Sequence, residues 1–193
     1  MKRIWVSSDS HFFHKNIILY SQRPYRNIEE MNQALVDNWN SVVGEDDTIY
    51  FLGDFCFCPV PQAKEIFSQL KGKTKILIRG NHEKSSATMK EIGFDEVYEK
   101  LFLSFRGKNF LLCHYPYQQF INPEKPRKYH KQYPVWSGED ALLRGHSHSL
   151  PEDTLKYIQV ADRRIPMLDV GCDGNDYRPI SLDFIYEKLF ENF

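Results

Sequence analysis

Five short polar clusters in this 193-residue chain carry side chains that can hold metal ions or move protons. They are Asp9-x-His11, Gly53-Asp54, Gly80-Asn81-His82-Glu83, His114 and Gly145-His146-Ser147-His148. Imidazoles, carboxylates and one amide oxygen are hard-to-borderline donors. They suit Mn²⁺, Fe, Zn²⁺ or Ni²⁺ better than Ca²⁺ or Cu(I). Asp9, His11, Asp54, Asn81, His114, His146 and His148 together are too many for one ion with open positions. Two ions sharing a bridging carboxylate would use them fully, and ions ~3.5–4 Å apart can clamp a phosphoryl group and activate water. Singly, each cluster has an ordinary explanation. Asp-x-His can be a surface triplet, Gly-Asp and Gly-Asn-His-Glu turns, Gly-His-x-His a solvated edge strand, and His114 a polar strand end.

Their common placement is what those explanations do not cover. Apolar runs at Ile4–Ser8, Thr48–Leu52, Lys75–Ile78, Phe110–Cys113 and Ala141–Leu143 read as strands, and one cluster follows each. Ligands in open α/β sheets bind at the carboxyl ends of strands, so the strands would deliver the clusters to one rim. Between them, Asn27 and Glu30 form a capping box. It opens a helix with apolar residues at Ile28, Met31, Leu35, Trp39 and Val42 or Val43, closed by Gly44. Further helices are expected over Pro61–Leu70, Ala87–Ile92 and from a Ser181 cap to Phe190. Hairpin patterns span Leu101–Cys113 and Leu155–Val170. Strand and helix alternate first and strands dominate later, which predicts a mixed-sheet α/β domain of two packed layers with helices outside.

The composition allows one domain over residues 1–193 with a substantial core, since 41% of residues are hydrophobic. With 25 basic and 26 acidic side chains, net charge argues for neither nucleic acid nor membrane. No apolar run approaches the ~20 residues of a spanning helix. The N-terminal apolar stretch is too short for a signal-peptide core, so a cytoplasmic location is expected. Cys56, Cys58, Cys113 and Cys172 are read as free thiols in a chain that needs no disulfide.

In order and spacing, the five clusters resemble the signature of calcineurin-like metallophosphoesterases. Asp169-Val170-Gly171-Cys172-Asp173 and Tyr177 to Asp183 are similar to small bacterial and phage members. The resemblance implies a four-layer α/β/β/α sandwich with two mixed β-sheets. It implies that Asp9, His11 and His148 bind one divalent ion, that Asn81, His114 and His146 bind a second, and that Asp54 bridges them. Two Mn²⁺ ions are expected first, with Fe, Zn²⁺ or Ni²⁺ as the other candidates. His82 is similar to the family's catalytic histidine, which binds no metal and protonates the leaving oxygen. Glu83 stands where Asp is commoner and would orient His82. The implied activity is hydrolysis of phosphoester bonds, in diesters or monoesters, by metal-activated hydroxide. A non-catalytic metal-binding scaffold of the same fold is the alternative, and such scaffolds typically lack the histidine at position 82. A nuclease is a third reading within the same chemistry.

One departure concerns phosphate. Some branches follow Gly-Asp with an Arg or Asp that grips phosphate, whereas Asp54 is followed by Phe55-Cys56-Phe57-Cys58-Pro59. The grip must come from elsewhere. His14 is a candidate substrate-facing residue, as is Arg178. Tyr115 to Gly138 holds four prolines, Lys125, Arg127, Lys128 and Lys131 against Glu124, and Tyr117, Phe120, Tyr129, Tyr133 and Trp136. Arg127, Lys128 and Lys131 would attract phosphate while the rings stack on bases. The other reading is a proline-rich surface loop whose rings pack on the core. The expected partner is a small phosphorylated substrate, a nucleotide or short oligonucleotide.

Overall fold

The computed structural model describes residues 2–121 and 130–191. In chain order the elements are β1 (Ile4–Ser7), α1 (Ile17–Tyr20), α2 (Ile28–Val42), β2 (Thr48–Phe51), α3 (Val60–Ser68), β3 (Thr74–Ile78) and α4 (Ser86–Ile92). Then come β4 (Glu96–Tyr98), β5 (Leu101–Phe105), β6 (Lys108–Leu112), β7 (Ala141–Arg144), β8 (Leu155–Val160), β9 (Arg163–Asp169), β10 (Ile180–Ser181) and α5 (Leu182–Phe190). The strands form two five-stranded sheets, in the orders β10-β1-β2-β3-β4 and β5-β6-β7-β9-β8. Both are mixed. β1 to β4 are parallel with β10 antiparallel, and β6, β7 and β9 are parallel between antiparallel β5 and β8.

Three apolar layers hold the sheets. Trp5, Phe51 and Leu77 face the helices, packing with Met31, Leu35 and Trp39 of α2 and Ala63, Ile66 and Phe67 of α3. Their strand neighbours Val6, Leu52 and Ile78 face the other way. They meet Phe110, Leu112, Leu143 and Leu168 of the second sheet, with Leu182, Ile185 and Leu189 of α5. This alternation is the period of two that strands impose. The outer face of the second sheet, with Leu111, Leu142, Ile158 and Met167, is covered by Tyr115, Tyr117, Tyr133 and Trp136.

That covering layer puts Tyr115, Tyr117, Tyr133 and Trp136 against the sheet, while Phe120 is exposed. Tyr117 is fully buried, and its hydroxyl donates to Glu139 Oε1 at 2.6 Å. Trp136 Nε1 donates to the Glu139 carbonyl at 2.9 Å. These rings are core. Lys125, Arg127, Lys128 and Tyr129 lie outside the described residues.

Register brings the strand ends level. Ser7 pairs with Phe51, Phe51 with Leu77, Leu112 with Leu143 and Arg144 with Asp169. The next residues of each strand therefore emerge side by side. A parallel bridge between Ser8 and Gly171 joins the two sheets at that end. Asn27 caps α2 as expected, accepting from Glu30 N at 2.8 Å, and the Glu30 carboxylate accepts from Arg26 N at 2.9 Å, while Ser181 caps α5. All four cysteines are free thiols. No helix among the described residues is long and apolar enough to cross a membrane.

Candidate metal centre

The strand-end residues converge in one pocket. Asp9, His11 and His148 bring ligand atoms mutually within 4.8 Å, as do Asp9, Asp54 and His114. Asn81 Oδ1 lies 3.2 Å from His114 Nε2 and 2.9 Å from His146 Nδ1. Asp54 Oδ2 stands between the two sets, 3.6 Å from His11 Nε2 and 3.5 Å from His114 Nε2. Asp9 reaches both sets as well, a sharing that the sequence reading confined to Asp54.

Each of the four imidazoles has one ring nitrogen tied back and the other turned inward. His114 Nδ1 meets the Leu52 carbonyl at 2.7 Å. His148 Nδ1 meets Asp173 Oδ2 at 2.8 Å, His146 Nε2 meets the Tyr133 hydroxyl at 3.1 Å, and His11 Nδ1 meets His14 Nδ1 at 3.1 Å. Metal-binding histidines are held this way, because an outer partner fixes the tautomer and leaves the inner lone pair for an ion. His11 Nε2 is buried with no hydrogen-bond partner among the described residues. A buried polar atom in that condition costs free energy unless an ion completes it.

Electrostatics point in the same direction. Burial first, and then the charge of Asp9, push Asp54 above the ordinary carboxylate range. Burial, with His114 beside it, lowers His146 to about 3, and burial drives His11 far below the usual histidine value. The pocket thus keeps His11 and His146 neutral and opposes the charged form of Asp54, a combination that a cation relieves.

The backbone is bent to make this arrangement. Asp9, His11, Asp54, His146 and His148 have φ of 57°, 49°, 58°, 73° and 47°. Non-glycine residues in this left-handed region cost on the order of 1–3 kcal/mol each and cluster at functional sites. Two glycines clear the space. A Cβ on Gly53, itself at φ 95°, would lie 2.6 Å from the Gly80 amide and 2.7 Å from His114 Nδ1. A Cβ on Gly145 would lie 2.2 Å from Asp9 Oδ2.

Residues 1–164 match the calcineurin-like phosphoesterase superfamily domain. The chain belongs to the calcineurin-like phosphoesterase superfamily. An uncharacterized protein of Methanocaldococcus jannaschii is 34% identical over 193 residues, which is 99% of this chain and 93% of that one. The gene 66 protein of Mycobacterium phage L5 is 28% identical over 98% of this chain and 95% of its own. The crystal structure of a protein of unknown function from Aquifex aeolicus superimposes with a TM-score of 0.73. It is 30% identical and covers 97% of this chain and 100% of its own.

Within this calcineurin-like site His82 stands on the open side. Its backbone amide donates to Asp54 Oδ1 at 3.0 Å, and its Nε2 lies 4.0 Å from Asp54 Oδ2. Glu83 bridges two neighbouring loops. Its Oε1 accepts from Phe55 N at 2.8 Å and its Oε2 from Gly80 N at 2.6 Å. The longer side chain spans two loops, so it positions the segment that carries His82. His14 touches the site through His11, and its ring stacks on Phe57. Arg178 pairs with Asp176 at 3.1 Å on the surface and lines a cleft with Trp5 and Phe184. Lys131 is exposed on a 3-10 turn, and Arg127 and Lys128 lie outside the described residues.

Sequence reasoning missed the supports. Arg23 is buried and donates to the Asp9 and Ser10 carbonyls at 2.7 and 2.8 Å and, through two nitrogens, to Asp173 at 2.8 and 2.9 Å. Asp173 in turn holds His148. Burial alone would lower His148, but the Asp173 hydrogen bond and the Asp9 charge outweigh it and raise it. Arg144 Nη1 reaches Asp169 Oδ2, the Gly145 carbonyl and Ser147 Oγ, fixing the His146–His148 loop. Replacing Arg23 with Ala removes the buried guanidinium that pairs with Asp173 and donates to the Asp9 and Ser10 carbonyls. Urea denaturation is expected to show a loss of about 3–5 kcal/mol, the scale for breaking a buried ion pair. Arg23→Lys should recover only part, because an ammonium cannot reproduce the two-pronged guanidinium contact.

Proposed function

We propose that this chain is a dinuclear-metal phosphohydrolase acting on phosphoester bonds of nucleotide-type substrates. The observation that carries the reading is the set of four imidazoles, each tied back at one nitrogen and turned by the other toward Asp9, Asp54 or Asn81. Asp9, His11 and His148 would hold one ion, Asn81, His114 and His146 the other, and Asp54 both, with Mn²⁺ as the first choice. When bound, the ions supply water activation at neutral pH and neutralise phosphoryl oxygens.

The chain's own groups do the rest. Asp54 accepts the His82 amide and so sets the distance between His82 and the ligand carboxylates. His82 is placed to hand a proton to the departing ester oxygen. Glu83 keeps the Phe55 and Gly80 loops in register around it. A cleft of about 490 Å³ opens beside His148 between Tyr20, Leu150 and Tyr177. That volume has room for a nucleoside-sized substituent.

The test is turnover by metal-stripped, Mn²⁺-restored protein of mononucleotides, cyclic nucleotides, dinucleotides and bis-p-nitrophenyl phosphate. Hydrolysis of at least one, abolished by chelator, is expected. Tight Mn²⁺ binding without turnover of any would replace this reading with the non-catalytic scaffold.

A further inference from the structure

The phosphohydrolase reading leaves open what recognises the substrate beyond its phosphate. The residues after Gly53-Asp54 bear on that question, because the grip expected there is absent from the sequence. Phe55 is fully buried in the helix-side core. Phe57, two residues on, is 53% exposed. Its placement is not loose. Phe12 N donates to the Phe55 carbonyl at 2.9 Å and Phe57 N to the Phe12 carbonyl at 2.7 Å, a short parallel bridge that fixes the backbone.

One face of the Phe57 ring is covered by His14, stacked at 4.7 Å between centroids with planes 21° apart. His14 in turn contacts His11. The column His11–His14–Phe57 thus runs from a buried candidate ligand to solvent and ends in a flat apolar face. His82 stands edge-on beside it, with centroids 5.5 Å apart. Tyr20, 73% exposed, extends the rim with its ring 6.4 Å from that of His14. Exposed aromatic surface grouped at the mouth of a polar pocket is the kind that lines a ligand-binding groove.

We propose that Phe57 is a stacking platform for the nucleobase of the substrate, on the leaving-group side of the site. The proposal rests on the phosphohydrolase reading. The group that protonates the leaving oxygen is His82, and the leaving alcohol must therefore pass His82 and meet the ring beside it. The free face is flat and uncharged, which suits a planar base and is tolerant of base identity. Hydrogen-bond readout of the base is not part of it.

Equilibrium binding of AMP and of ribose 5-phosphate to the Mn²⁺-loaded chain tests the platform without requiring turnover. In the wild-type chain AMP should bind about tenfold or more tighter than ribose 5-phosphate, the scale of one base on one ring. Phe57→Ala should bring the ratio close to one by weakening AMP alone. Phe57→Trp, which keeps a flat face, should retain it. Because the ring is exposed, melting curves should show both variants folded. A ratio near one in the wild-type chain, or a ratio unchanged by Phe57→Ala, overturns the platform and leaves the phosphohydrolase reading standing. If neither ligand binds, the platform falls, while the phosphohydrolase reading stands or falls on the turnover test.

Discussion

Asp54→Asn is expected to lower metal content from about two ions per chain, the two-metal count, to well below one, and to reduce turnover to near background. Asp54 Oδ2 is within 3.6 Å of the inner nitrogen of one histidine set and 3.5 Å of the other. Among the described residues, Asp9 is the other carboxylate that reaches both sets. Metal analysis of protein restored with excess Mn²⁺ gives the count, and retention of two ions would remove the bridging role. A fold control separates metal loss from collapse. In metal-free protein the raised pKa of Asp54 means that the folded state holds its proton more tightly than the unfolded state. The ionised carboxylate then costs stability as pH rises above the ordinary aspartate value of about 4. Asparagine removes that cost and can still accept the His82 amide. Metal-free Asp54→Asn should therefore melt no lower than metal-free wild type at pH 7, while losing the stabilisation that added Mn²⁺ confers on wild type.

The ligand residues were legible because each follows a short apolar run and stands in a turn, where its side chain has no local work. Asp9, Asp54 and His146 sit at positive φ, a strain that no apolar pattern announces, yet Gly53 and Gly145 immediately before two of them mark the crowding. The α2 start was legible from Asn27 and Glu30 alone because capping is local. What escaped is non-local or too short to carry a period. Arg23 and Asp173 meet across 150 positions, and neither stands in a motif that predicts the other. β4 has three residues, two of them exposed, and β10 has two, so alternation has nothing to act on. α1 spans a single turn without a side-chain cap. The aromatic segment after His114 was ambiguous for a different reason. Tyr117 and Trp136 are amphipathic rings, equally able to stack on a base or to cover a sheet, and only Glu139, buried and accepting the Tyr117 hydroxyl, shows that they cover the sheet.

His82→Ala should separate proton transfer from metal binding. The His82 side chain is 38% exposed, and its Nε2 stays 4.0 Å from the nearest Asp54 oxygen. By contrast, the rings of His11 and His114 are buried. The variant should keep about two ions per chain, since none of the four tied-back imidazoles is touched. Turnover of a nucleoside ester should fall by roughly 10²–10⁴, the usual contribution of a positioned acid, because an alkoxide leaves poorly without a proton. A p-nitrophenyl ester of the same phosphate should suffer much less, since p-nitrophenolate leaves unprotonated. The ratio of the two losses is the diagnostic quantity. Equal losses would mean that His82 steadies charge in the transition state and hands over no proton. Loss of an ion would make it a ligand, and the open side of the pocket would then need a different acid.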